Sequence, residues 1–224
     1  MNCETKKQNI SKNKIIKSAI VLFANNGFDS TSTREICKQA GVNLSLIPYY
    51  FGNKDGLYID IIESIVDYGL ISLKEEIELA NNVRTMNSDE KINLFKNLLW
   101  KYTDFLYSEN VPSSFVILMI KEQAVSNSKF SKIYSQKINV LYDALRKILA
   151  AILNKKNSDK FIVFQVSSII GQILGYKIIQ RQTLDALNQD LYTKDDLKVI
   201  KNLVFSYVND FVDKIKEQAL VSIK

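Results

Sequence analysis

The stretch STREICKQAGVNLSLIPYYFGNKDGLY, residues 32–58, decides the fold. Ser32 followed three residues later by Glu35 has the spacing of a capping box, which predicts a helix from Thr33 to Ala40 with Ile36 and Cys37 on its buried side. Gly41 stops it. Asn43 is the next side chain able to cap a helix, so the following helix must leave at a steep angle to the one before. Two short helices joined this tightly form a helix-turn-helix, whose second helix is the one that enters a DNA major groove.

Working outward, residues 11–26 place Ile15, Ile16, Ala19, Ile20, Leu22 and Phe23 at helical spacing, with Lys12, Lys14 and Lys17 on the polar side. Asn25, Asn26 and Gly27 mark the end of that first helix, and Phe28 is placed to pack back on Phe23 in a Schellman stop. Four of the seven glycines, Gly27, Gly41, Gly52 and Gly56, lie in the first quarter, so the remainder has few helix breakers. Nothing alternates with period two, and the chain is predicted to be all-α. A connecting helix is expected over Leu57–Ala80, then one capped by Ser88 and ending before Pro112. Shorter and longer helices follow over Phe115–Gln123 and Phe130–Leu153, and a last one runs from Thr193, boxed by Asp196, to about Ala219. The predicted division is a three-helix helix-turn-helix domain with a basic N-terminal arm over 1–55, and a helical bundle over 56–224.

Thr33, Ile36, Cys37, Ala40, Gly41, Val42, Asn43, Ile47, Tyr50, Phe51, Asn53, Lys54, Asp55 and Leu57 fall at the spacing of one motif. In that motif the chain resembles the DNA-binding domain of the TetR family of bacterial transcription regulators. The run Asn-x-x-x-Ile-x-Tyr-Tyr-Phe-Gly-x-Lys-Asp-Gly-Leu-Tyr is also similar to a branch that regulates drug and ABC-type exporters. The resemblance implies a homodimeric repressor that holds a palindromic double-stranded operator and releases it when a small apolar or amphipathic effector enters the C-terminal domain. Ser32, Thr33, Arg34, Asn43, Leu44, Ser45, Leu46, Tyr49, Tyr50 and Lys54 are the expected DNA contacts, with Lys54 and Tyr49 touching phosphate and Ser45 and Leu46 setting operator preference. Leu44, Ser45 and Leu46 lack long polar side chains, so readout is expected to rest on hydroxyl and methyl contacts and on DNA shape.

Two positions depart from the family pattern. Cys37 stands where alanine is usual and is read as a small core residue. Pro48 stands where the family has a phosphate-contacting tyrosine. Counted from Asn43 as cap it would be the fifth helical residue, bending the recognition helix at a cost of about 3 kcal/mol, which moves the phosphate contact to Tyr49 or Tyr50. Pro48 is also the hint for an alternative reading, a helical small-molecule-binding module that no longer recognises DNA.

Composition fits a cytoplasmic regulator. The 224 residues are 46% apolar and carry a net charge of +6. Residues 1–56 hold eight Lys and Arg against four Asp and Glu, a net +4, while the other 168 residues hold a net +2. A basic excess beside a helix-turn-helix is the footprint of phosphate binding. Cys3 and Cys37 do not make a disulfide framework, and the six-residue apolar run Ala19–Ala24 is too short for a signal-peptide core. With no histidine, no phosphate-binding glycine loop and no Cys/His metal spacing, the sequence points away from an enzyme and calls for no cofactor or metal.

The segment Phe161–Tyr176 is free of charge for 16 residues. It is shorter than the ~20 residues a bilayer needs, and it includes Gln165, Ser167, Ser168 and Gln172, so a buried helix contact is expected rather than a membrane span. Ser167, Gly171 and Gly175 recur at i, i+4 and i+8, a stripe of small residues that lets another helix come close; the family resemblance, which implies a dimer interface built from the last two long helices, places the dimer contact on this segment together with Thr193–Ala219. Trp100, Tyr102 and Phe105, with Phe115, Met119 and Gln123, supply the aromatic and adaptable side chains of an effector pocket with one orienting amide.

Overall fold

The computed structural model describes residues 3–108, 111, 113–124 and 130–221. Among them there is no strand, and eleven α-helices with one 3₁₀ segment make up the order. The chain divides into two compact units, Met1–Asp67 with Pro112–Lys137, and Tyr68–Val111 with Ile138–Lys224.

In the first unit, α1 (Cys3–Asn26) extends further back than its apolar spacing announced, so the backbone of the expected arm is helical from Cys3. Ile15, Ala19 and Phe23 form its buried stripe. Gly27 at φ +84° ends it, the Gly27 amide donates to the Phe23 carbonyl, and Phe28 stacks on Phe23 at 5.7 Å. The Thr31 hydroxyl, buried beneath this turn, donates to the Gly27 carbonyl at 2.8 Å. α2 (Thr33–Ala40) and α3 (Leu46–Phe51) follow, with Gly41 between them at φ +64°. Ile36, Ile47 and Phe51 turn inward, as do Leu57 and Ile61 of α4 (Lys54–Ile71).

α7 (Ser113–Ala124) completes this unit by packing on α1. The Lys121 ammonium donates to the Ala24 carbonyl at the end of α1, 2.6 Å away. The Tyr58 phenol donates to the buried Glu122 carboxylate at 2.5 Å, inside a cluster where Phe23, Phe28 and Phe130 ring Tyr58 at 4.5–5.0 Å. Burial and the facing Glu122 carboxylate push the Tyr58 phenol far above its ordinary pKa, so it stays a donor.

In the second unit the expected single connecting helix is interrupted. α4 stops at Ile71, α5 (Lys74–Leu79) resumes after Ser72 and Leu73, and a 3₁₀ helix covers Ala80–Thr85. The Ser72 hydroxyl donates to the Gly69 carbonyl at 2.9 Å, offering the backbone a local alternative to the helical ladder. Gly69 lies against Phe105, whose ring is 3.0 Å from the place of a Cβ. α6 (Ser88–Leu106) is capped by Asn87 rather than Ser88, because Asn87 and Glu90 form the reciprocal pair of hydrogen bonds. α8 (Ser131–Ile152), which begins in the first unit, α9 (Lys160–Ile178), α10 (Gln180–Leu187) and α11 (Lys194–Val221) complete the bundle. α10 lies in a stretch for which no helix is predicted. Phe95 and Leu98 of α6, Leu145 and Ile148 of α8 and Ile162 and Ile173 of α9 are fully buried, and the Tyr107 phenol donates to the Ile173 carbonyl at 2.6 Å. By length and composition α9 is the one helix among the described residues apolar enough to cross a bilayer, and it packs on α11.

Two substitutions test the first unit. A Cβ at Gly56 would stand 2.0 Å from the Phe51 carbonyl oxygen, so Gly56→Ala is expected to lose about 1–3 kcal/mol in urea unfolding. Stability equal to the parent would contradict the tight junction of α3 and α4. Tyr58→Phe removes the phenol that donates to the Glu122 carboxylate and is expected to cost a similar ~1–3 kcal/mol, whereas an unchanged midpoint would show the bond to be dispensable.

Candidate nucleic-acid interface

The candidate edge is built by capping chemistry. The Ser32 backbone N–H donates to Glu35 Oε2 at 2.8 Å while the Glu35 N–H donates to Ser32 Oγ at 3.1 Å, the reciprocal bonds that the spacing predicts. The Ser32 backbone N–H foremost, and the Ser32 hydroxyl, which donates to the same Glu35 oxygen at 2.8 Å, hold the Glu35 carboxyl below its usual pKa. Glu35 therefore stays ionised at the helix N-terminus, where the dipole favours a negative charge. Arg34 and Lys38 are exposed on α2, and Thr33 is half-buried. Cys37 is buried, and desolvation raises its thiol pKa, which is the environment of an inert core cysteine.

The turn into α3 differs in register from the expected one. Asn43 Oδ1 accepts from the Ser45 amide at 3.0 Å and from the Ser45 hydroxyl at 3.1 Å, so Asn43 organises the turn, and the regular helix begins only at Leu46. Pro48 is thus the third residue of α3. Its missing N–H is among the first-turn donors that have no partner within any helix. This corrects the expected bend and its cost: at this position the proline breaks no hydrogen bond of the regular helix.

Of the predicted contacts, Ser32, Arg34, Asn43, Leu44, Ser45 and Tyr49 are exposed, and Leu46 and Tyr50 are half-buried. Pro48 is exposed among them. Ile47 and Phe51 fix the opposite side of α3 in the core. Tyr49, 67% exposed, rests edge-on against Tyr50 at 4.9 Å, which steadies a phenol that otherwise projects into solvent. Lys54 is used differently. Its ammonium donates to the Phe28 and Thr31 carbonyls at 2.9 and 3.0 Å and sits 4.2 Å from the centre of the Phe28 ring. Two of its three donors are committed inside the unit, which corrects the expectation of a free phosphate contact: Lys54 fastens the α1–α2 turn to the start of α4. No spacing in the sequence announces that bond, since 26 residues separate Lys54 from Phe28.

The residues expected at an effector pocket are divided. Trp100, Tyr102 and Phe105 belong to the second unit, and Phe115, Met119 and Gln123 to the first. Tyr102, Phe105 and Met119 are buried and Phe115 is half-buried; Trp100 reaches the surface with its ring 4.1 Å from that of Phe205. The side chain of Gln123 lies outside the described residues. Ser167 and Gly171 are exposed and Gly175 half-buried on α9, and a Cβ at either glycine would meet nothing within 4 Å. Beside them lie the exposed side chains of Phe164, which is 71% exposed, and Ile179, and on α11 Leu203 and Tyr207; a cavity of about 400 Å³ between α9 and α11 has Gly175, Tyr176 and Tyr207 in its wall. Among the described residues no cluster of three metal-ligating side chains occurs.

Comparison with known proteins adds to this geometry. Residues 15–61 match the sequence model of the bacterial regulatory proteins of the tetR family, and residues 93–211 match that of the C-terminal domain of the HTH-type transcriptional dual regulator CecR. The CecR regulator of Shigella flexneri is 22% identical over 212 residues, which span 94% of this chain and 95% of that protein. Among solved structures, the fatty acid degradation regulator FadR of Bacillus halodurans aligns with a TM-score of 0.60 at 16% identity, over 88% of this chain and 94% of that one. FadR of Bacillus subtilis, solved in complex with stearoyl-CoA, aligns with a TM-score of 0.57 at 20% identity, over 87% and 96%. Since one model accounts for the helix-turn-helix and the other for more than half of the chain, this protein belongs to the TetR family of bacterial transcription regulators and carries a C-terminal domain of the CecR type.

Proposed function

We propose that the chain is a cytoplasmic, homodimeric repressor that binds a palindromic operator through α2 and α3 and releases it when a small apolar or amphipathic molecule binds the helical part. The observation that carries this reading is α3: Pro48 and Tyr49 project outward from a six-residue helix whose other side, Ile47 and Phe51, is anchored in the core, and Asn43, Leu44 and Ser45 are exposed in the turn that leads into it. Ser45 and Leu46 address bases, and Arg34, Tyr49 and Tyr50 address phosphate, with Ser32 and Thr33 at the N-terminus of α2 alongside. Pro48 lies in the first turn of α3, where it breaks no hydrogen bond of the regular helix, and this supports DNA reading over a helical module without it. The functional division at residues 55 and 56 separates reading from sensing, although the compact first unit also takes in α7.

Tyr102 and Phe105 of α6, in the second unit, are the effector-facing candidates, and Trp100 on the same helix reports on them by fluorescence. An effector acts only through its different affinity for the DNA-bound and released states. The outward face of α9 with its neighbour α11 supplies the subunit contact, which explains why an apolar helix shows Phe164 to solvent without being a membrane span.

A mobility-shift assay with the DNA upstream of the chain's own gene tests the reading, and a specific complex at nanomolar protein is the expected result. Arg34→Ala is expected to lower the salt slope of log K by about one unit, while Lys54→Ala leaves the slope unchanged and lowers the melting temperature. A Lys54→Ala slope reduced as much as that of Arg34→Ala would place Lys54 on DNA after all. For assembly, Gly171→Leu has free space within its own chain, so the variant is expected to fold and sediment as a monomer at micromolar concentration. An intact dimer would move the interface away from α9.

A further inference from the structure

Two adjoining cavities of about 290 and 300 Å³ lie in the second unit, where the 3₁₀ helix Ala80–Thr85 meets the C-terminal end of α8. Arg84 and Lys155 line both. Lys147 lines the first alone and Lys91 the second alone, and among the described residues no carboxylate lines either. Residues 57–224 carry a net charge of only +2, so four cations around one concavity are a local concentration. Lys147 is shared with Asp143 at 2.9 Å and Lys155 with Asp159 at 3.7 Å. Arg84 and Lys91 have no carboxylate partner among the described residues. A concave wall of one sign focuses its field on small counter-ions, and a guanidinium offers two parallel donors to a phosphate.

The structure assigns this double cavity as a binding site for a small molecule that carries a diphosphate. The arrangement is bipartite: Arg84 and Lys155 stand in common, with one further lysine on each side, which suits two linked phosphates better than one. Asn82 and Asn157 in the first cavity add amides for the uncharged part of such a molecule. The site is independent of DNA reading and stands whether or not α3 recognises an operator.

Titration calorimetry of the full chain with inorganic pyrophosphate tests it. One pyrophosphate per chain is expected, bound at least tenfold more tightly than orthophosphate, with at least a tenfold loss of affinity in the Arg84→Gln/Lys155→Gln double variant. Lys91→Gln, which breaks no ion pair, is expected to lose several-fold, and Lys38→Gln in the other unit to stay within twofold of the parent. Should the double variant unfold on a thermal melt, Lys91→Gln decides alone. Binding of ADP tighter than pyrophosphate would identify a nucleotide as the source of the diphosphate, and equal binding would identify the free anion; both support the site. Absence of saturable pyrophosphate binding, or equal affinity in the variants, overturns it. A DNA duplex that loses affinity in the double variant while pyrophosphate fails to bind would overturn it in favour of a second nucleic-acid surface.

Discussion

The buried contact of Tyr58 with Glu122 is the constraint on which the DNA-reading unit rests. A carboxylate taken out of water costs several kcal/mol unless hydrogen bonds replace its hydration, and here a phenol held by three aromatic rings supplies one of them. The bond ties α4 to α7, and the Lys121 ammonium ties α7 to the end of α1. Ile47 and Phe51 can then seat α3 against fixed neighbours, so its exposed residues are presented by a rigid body. Lys54 closes the same unit from the other end by gripping the two carbonyls of the α1–α2 turn.

Local signals in the sequence were reliable wherever the physics is local. The capping boxes at Ser32 with Glu35 and at Thr193 with Asp196 occur as the three-residue spacing predicts, and Gly27 and Gly41 take positive φ where helices stop. The departures come from competition between neighbours. Asn87 outcompetes Ser88 as cap because Glu90 lies three residues after Asn87 and pairs with it. Asn43 bonds to Ser45 instead of opening a regular turn, and that shift of register makes Pro48 harmless. The interruption at Ser72 depends on a hydroxyl that bonds backward to Gly69 and on Phe105 pressing there, of which periodicity carries no trace.

Side-chain partners far apart in the chain were the least legible part of the site. Lys54 reads as a surface cation at a helix start, and only the folded turn brings the Phe28 and Thr31 carbonyls to it. The aromatic residues of α6 and α7 look like one pocket when helices are imagined side by side, yet they belong to different compact units. The small-residue stripe lies on α9 with Ser167 and Gly171 exposed beside the apolar side chains of α11, and the proposed subunit contact rests on that exposure.

Two copies of α3 are proposed to read DNA together, and hydroxyl-radical footprinting on the upstream region tests this most directly. Two symmetric protected patches are expected on one face of the duplex, centred about one helical turn or a multiple of it apart, and lost together when Ser45→Arg is introduced. A single patch, or backbone cleavage left uniform at saturating protein, would contradict it.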